Sequence, residues 1–159
     1  MSEKHTLSCL VENHFGVLAR VSGLISARAF NIDSLTVSTT EDPTVSRMTI
    51  VVDADAVKLE QVKRQLSRLI DVIEVQELRE GEFIDRELLL ARVNVNGQAR
   101  AELEQILARF GAKCADATER SVVIEVTGDT KRLDQLIEQL RPYRITTLVR
   151  TGRVALEKQ

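Results

Sequence analysis

The sequence predicts an α+β fold made of two tandem βαββαβ modules. Three observations carry that prediction. Apolar runs of period two alternate with apolar stripes of helical period. The order strand, helix, strand, strand, helix, strand occurs twice, at an offset of about 80 residues. A charged stretch around Gly81 separates the two copies. An offset of this length is too long for a solenoid repeat and fits two compact ferredoxin-like modules, here residues 1–79 and 80–159.

The first strand is predicted over residues 5–12, where Leu7, Cys9 and Val11 alternate with Thr6, Ser8 and Leu10. Gly16 then breaks the pattern. Val17, Leu18, Val21, Leu24 and Ile25 follow at helical spacing, giving an amphipathic helix over 17–29. A β-prone stretch from 32 to 39 leads to a turn at Thr40, Glu41, Asp42 and Pro43. The third strand covers 46–53 with Met48, Ile50 and Val52 on one face, and Arg47, Thr49 and Val51 as a mixed face left open. Leu59, Val62, Leu66, Leu69 and Ile70 mark the second helix, and a strand over 72–78 closes the module.

The order then restarts. Leu89, Ala91, Val93 and Val95 alternate, and Gly97 introduces a helix with Ala99, Leu103, Ile106, Leu107 and Phe110 on one stripe. Residues 113–117 and 121–127 form a hairpin turning at Thr118, Glu119 and Arg120. Leu133, Leu136, Ile137 and Leu140 mark a fourth helix ending near Pro142, and a last strand runs over 145–150, extended through Val154. Modules of this size have thin cores, open faces and edge strands, so dimerisation is expected.

Composition removes several function classes. The 159 residues carry 22 Lys and Arg against 24 Asp and Glu, with net charges of −3 over residues 1–78 and +1 over 79–159. No basic face for nucleic acid is indicated. RNA-recognition domains share this strand order but stack bases on aromatic side chains; here the only rings are Tyr143 and Phe15, Phe30, Phe83 and Phe110, and the third strand of each module has none. Cys9 and Cys114 make no C-x-x-C pair and are expected to be buried small hydrophobes. No apolar run reaches a membrane span, and a cytoplasmic location is expected. His5 and Cys9 on one strand would stand about 13 Å apart, outside the reach of a Cys–His pair. No catalytic constellation and no metal site are expected.

The remaining feature is the loop Asn13-His14-Phe15-Gly16 between the first strand and first helix. A helix N-terminus presents unpaired N–H groups that attract a carboxylate. Gly16 permits close approach of a ligand, and the Asn13 amide can both donate and accept, as a zwitterionic amino acid requires. On the residues alone, ordinary capping and turn chemistry produces the same loop.

The run Asn-His-Phe-Gly-Val-Leu-Ala-Arg-Val-Ser-Gly-Leu-Ile-Ser-Ala-Arg-Ala-Phe-Asn-Ile-Asp-Ser-Leu-Thr-Val over 13–37, followed by Glu-Asp-Pro-Thr-Val-Ser-Arg-Met-Thr-Ile over 41–50, closely resembles the small, regulatory subunits of acetolactate synthase. Their first module is an ACT domain. The resemblance implies a non-catalytic homodimer that binds the catalytic large subunit, raises its activity and makes it sensitive to valine. Thiamine diphosphate, Mg and FAD are then expected on the catalytic partner and no cofactor on this chain. It further implies an effector site between two ACT domains, with Asn13, His14, Phe15, Gly16, Val17 and Leu18 from one chain, Asn31 and Ile32 from the other, and Ser38 lining the same interface. Two departures from the family pattern stand out. Ala29 occupies a position where glycine is expected, and His14-Phe15 is a bulkier pair, with Phe15 placed to narrow or cap the pocket. The alternative function is an ACT-type amino-acid sensor serving a different enzyme.

Overall fold

The computed structural model describes residues 3–28 and 30–159, and the expectation attached to Ala29 lies outside the described residues. The chain divides into two compact units, Met1–Ile84 with Arg153–Gln159, and Asp85–Gly152. Each repeats one plan.

In the first unit β1 (Glu3–Glu12), α1 (Val17–Ala27), β2 (Asn31–Thr39), β3 (Val45–Ala54), α2 (Ala56–Leu66) and β4 (Val72–Leu78) form an antiparallel sheet of order β2-β3-β1-β4. Leu7, Cys9 and Val11 of β1 and Met48, Ile50 and Val52 of β3 meet Val17, Val21 and Ile25 of α1 and Leu59, Val62 and Leu66 of α2 in one buried cluster. Registers follow the alternation, with Leu7 opposite Ile50 and Cys9 opposite Met48. The Asp55 carboxylate caps α2, accepting from the Lys58 N–H at 2.9 Å. That helix stops at Leu66; Leu69 still packs on the core, but Ile70, read as part of the helical stripe, is exposed in the loop before β4.

In the second unit β5 (Phe83–Asn94, entering the unit at Asp85), α3 (Gly97–Phe110), β6 (Lys113–Ala117), β7 (Ser121–Gly128), α4 (Thr130–Leu140) and β8 (Ile145–Arg150) give the matching order β6-β7-β5-β8. Leu89, Ala91 and Val93 pack with Leu103, Leu107, Ile124, Leu133, Leu136 and Leu140. A single 3-10 turn, Arg141–Tyr143, follows α4 at Pro142. The buried Glu87 carboxylate pairs with Arg150, whose other nitrogen reaches Asp134 at 2.7 Å.

Three sequence expectations are corrected. β5 begins at Phe83, so the charged segment between the copies narrows to a turn closed by the Glu82 N–H on the Arg79 carbonyl at 3.0 Å. Cys114 is exposed on β6, whose five residues all face solvent as a short edge strand, while Cys9 is buried as expected. The last strand does not continue through Val154. Gly152 takes φ +87° and turns the chain, and β9 (Val154–Glu157) falls in the first unit, which also holds Phe83 and Ile84 at the start of β5.

That return of the chain explains a fourth correction. Thr6, Ser8, Thr49 and Val51, on the sheet face opposite the helices, are buried and not open. Arg153 donates to Thr6 Oγ1 at 2.7 Å and its carbonyl accepts from Thr36 at 3.0 Å, while Arg47 donates to Ser8 at 2.7 Å. The Arg153 guanidinium also lies 5.7 Å from the Phe83 ring centroid. Arg153→Ala leaves the buried Thr6 hydroxyl without this donor and is expected to lower unfolding free energy by about 1–3 kcal/mol. Urea unfolding of the whole chain measures this; an unchanged midpoint would show that the C-terminal segment contributes no stability.

Candidate functional site

The loop between β1 and α1 is set by Gly16, the N-cap of α1, at φ +83° and ψ −8°. A side chain in that left-handed conformation is strained by about 1–2 kcal/mol, and a Cβ there would stand 3.5 Å from the Arg20 guanidinium. No side chain caps α1. The other three helices are capped by Asp55, Asn96 and Asp129, each accepting from the N–H three residues on. Among the described residues the first turn of α1 therefore has no side-chain acceptor at its N-cap and no acidic residue, with the Arg20 cation beside Gly16. Such a terminus is suited to holding an anion.

The loop is anchored on both sides. The Asn13 N–H donates to the Thr44 carbonyl at 2.7 Å and its amide nitrogen to the Pro43 carbonyl at 2.9 Å, which ties the loop to the β2–β3 turn. The amide nitrogen of Asn13 is thereby committed to the β2–β3 turn. On the other side His14 Nε2 lies 3.1 Å from Glu12 Oε2 and 3.0 Å from Asp71 Oδ1, and Arg20 Nε lies 2.7 Å from Asp71 Oδ2. Asp71, just before β4, is buried, and its carbonyl accepts the Glu12 N–H at 2.8 Å. The hydrogen bonds to the Phe15 carbonyl and to Glu12, with the nearby Asp71 charge, raise the His14 pKa above the ordinary imidazole value against a smaller desolvation effect.

Glu12, His14 and Asp71 offer donor atoms within 4.8 Å of one another, a spacing that would admit a metal ion. Here His14 bridges both carboxylates directly and the Arg20 cation sits on Asp71, which opposes a further positive charge. We read the group as an ion-paired cluster. Sequence reasoning missed Asp71 and Arg20. Arg20 had a signal, since it lies one helical turn beyond Gly16; Asp71 had none.

The other residues of the expected site fall in different places. The Val17 side chain belongs to the core, so only its backbone N–H can reach a ligand. Phe15 is fully exposed and caps nothing within one chain, while Leu18 is partly exposed. Asn31 is exposed and Ile32 half-buried at the start of β2. Asn31 lies opposite Asp53, whereas Glu12, at the foot of the loop, lies opposite Val45. Eight residues of β3 separate those two points, about 27 Å along the sheet. A single chain does not bring Asn31 and Ile32 to the loop. Ser38, opposite Arg47, lies toward the loop's end of the sheet, in a groove of about 300 Å³ lined also by Val37, Thr40, Arg47 and Val154.

Nucleophilic chemistry finds little here. Burial pushes the Cys9 thiol up to about 12, so it stays protonated, and His5 is engaged with Glu77 at 3.3 Å.

The fold and this loop define a module of the ACT class, followed by a second module of the same topology. The family model described as the AHAS small subunit-like ACT domain matches residues 7–74, and that described as the small subunit of acetolactate synthase matches 86–159. The probable acetolactate synthase small subunit of Archaeoglobus fulgidus is 48% identical over 96% of each chain. That of Haemophilus influenzae is 42% identical over 98% of this chain and 96% of its own. The crystal structure of the Thermotoga maritima small subunit superimposes with a TM-score of 0.89 at 31% identity, covering 99% of this chain and 98% of the other. The chain belongs to the acetolactate synthase small-subunit family.

Proposed function

We propose that this chain is the non-catalytic regulatory subunit of a cytoplasmic acetolactate synthase, activating the catalytic large subunit and conferring inhibition by valine. Thiamine diphosphate, Mg and FAD belong to that partner in this reading. The observation that carries the effector role is the uncapped N-terminus of α1, set by a left-handed Gly16 beside Arg20. It offers N–H donors and a cation to a carboxylate, while the Asn13 carbonyl offers an acceptor to an ammonium, the two ends of an amino acid.

A second copy completes the site. β2 is an edge strand of its sheet. Two β2 strands pairing antiparallel about Leu35, their midpoint, place the partner subunit's Asn31 opposite Thr39, at the end of the sheet where the loop lies. The separation of about 27 Å within one chain thereby becomes the reason for a dimer. Valine is the first choice of effector, although leucine differs by one methylene, worth about 0.8 kcal/mol of burial.

Reconstitution tests the proposal. Adding the chain to a purified acetolactate synthase catalytic subunit is expected to raise acetolactate formation and to make it sensitive to valine, by a factor in the range of about 5 to 150 for ordinary allosteric coupling. A catalytic subunit indifferent to the chain, with and without valine, would refute it and favour an amino-acid sensor for another enzyme.

A further inference from the structure

His14, in the middle of the effector loop, faces acceptors at both ring nitrogens. Nδ1 lies 3.2 Å from the Phe15 carbonyl, and Nε2 lies within 3.1 Å of Glu12 Oε2 and Asp71 Oδ1. A carbonyl and an ionised carboxylate only accept, and a neutral imidazole has one N–H. Only the imidazolium satisfies both sides. The charged groups facing the ring are Glu12 from β1 and Asp71 from the loop before β4; Arg20 of α1 holds the far oxygen of Asp71 at 2.7 Å. Asp71 cannot drift, because its backbone is bonded to β1 and its side chain is buried. With a neutral ring these four side chains carry a net negative charge beside the N-terminus of α1; with a charged ring they balance.

We propose that Asp71 is a positioning residue for the effector loop: it holds the His14 imidazolium, and through it the Phe15 carbonyl, so that binding of an amino-acid carboxylate at the start of α1 requires a proton on His14. This rests on the effector reading of the loop. When the proton leaves, the Phe15 carbonyl or the carboxylate pair loses its donor and the cluster turns negative where the ligand's carboxylate must sit. The sign follows. Because binding needs the charged ring, it is strongest below the His14 pKa, which the Phe15 carbonyl and the two carboxylates hold above the ordinary imidazole value, and weakens as pH rises through it.

The experiment is calorimetric titration of the full chain with valine from about pH 5.5 to 8.5, with NMR titration of the two histidine rings assigned through His14→Gln. The expected result is a His14 pKa above the ordinary imidazole value and a valine Kd that weakens by up to about tenfold per pH unit beyond it. Asp71→Asn moves both inflections to lower pH, and His14→Gln binds more weakly with a flat profile. A pH-independent Kd in the wild-type chain, or a His14 pKa at or below the ordinary value, overturns the proposal even if Asp71→Asn fails to fold. Absence of heat at every pH overturns the effector reading itself, and the proposal with it.

Discussion

Gly16→Asp is expected to abolish valine binding while leaving the chain folded and able to activate its catalytic partner. Two effects act together. The backbone at φ +83° becomes strained by about 1–2 kcal/mol, and the new carboxylate sits at the helix N-terminus where the ligand's carboxylate belongs. The Arg20 guanidinium, 3.5 Å from the new Cβ position, becomes its counter-ion. With the anion site filled from within, affinity should fall by at least about 100-fold, equivalent to some 2.7 kcal/mol. The loop is exposed and Gly16 takes no part in the core, so the fold survives. Calorimetry with valine, alongside circular dichroism and the reconstituted activity, measures all three. Retained inhibition, or loss of activation together with inhibition, would place the effector elsewhere.

The architecture was legible because each element carries its period in neighbouring residues. Leu7, Cys9 and Val11 declare a strand by themselves, and Leu133, Leu136 and Leu140 a helix. What stayed illegible depends on contacts between distant residues. β9 has four residues, too few for its alternation to reveal which unit it joins. Thr6, Ser8 and Thr49 look like a solvated face, yet they are buried, and Thr6 and Ser8 take hydrogen bonds from Arg153 and Arg47.

The site shows the same division. Asn13, Gly16 and the start of α1 are contiguous, so the break at Gly16 and the helix that follows it are legible from neighbouring residues. Asp71 lies 57 residues beyond His14 and meets it only because β4 pairs with β1. Phe15 looked like a lid but is fully exposed in one chain. Ile70, exposed in the adjoining loop, was read as part of a helical stripe that the structure ends at Leu66.

The second large effect concerns the sharing of the site between two chains. Asn31→Ala and Gly16→Asp are each expected to eliminate valine binding as homodimers, because every site then lacks one of its halves. A dimer with one chain of each kind is different: one site carries both substitutions and the other carries neither. Random exchange of equal amounts makes about half the dimers mixed, so about one site in four is restored. Calorimetric titration of this exchanged mixture with valine tests the shared site most directly. Binding at wild-type affinity with about a quarter of the wild-type stoichiometry is expected. A mixture as silent as its two parents would contradict it, because no site would then have been rebuilt from one half of each chain.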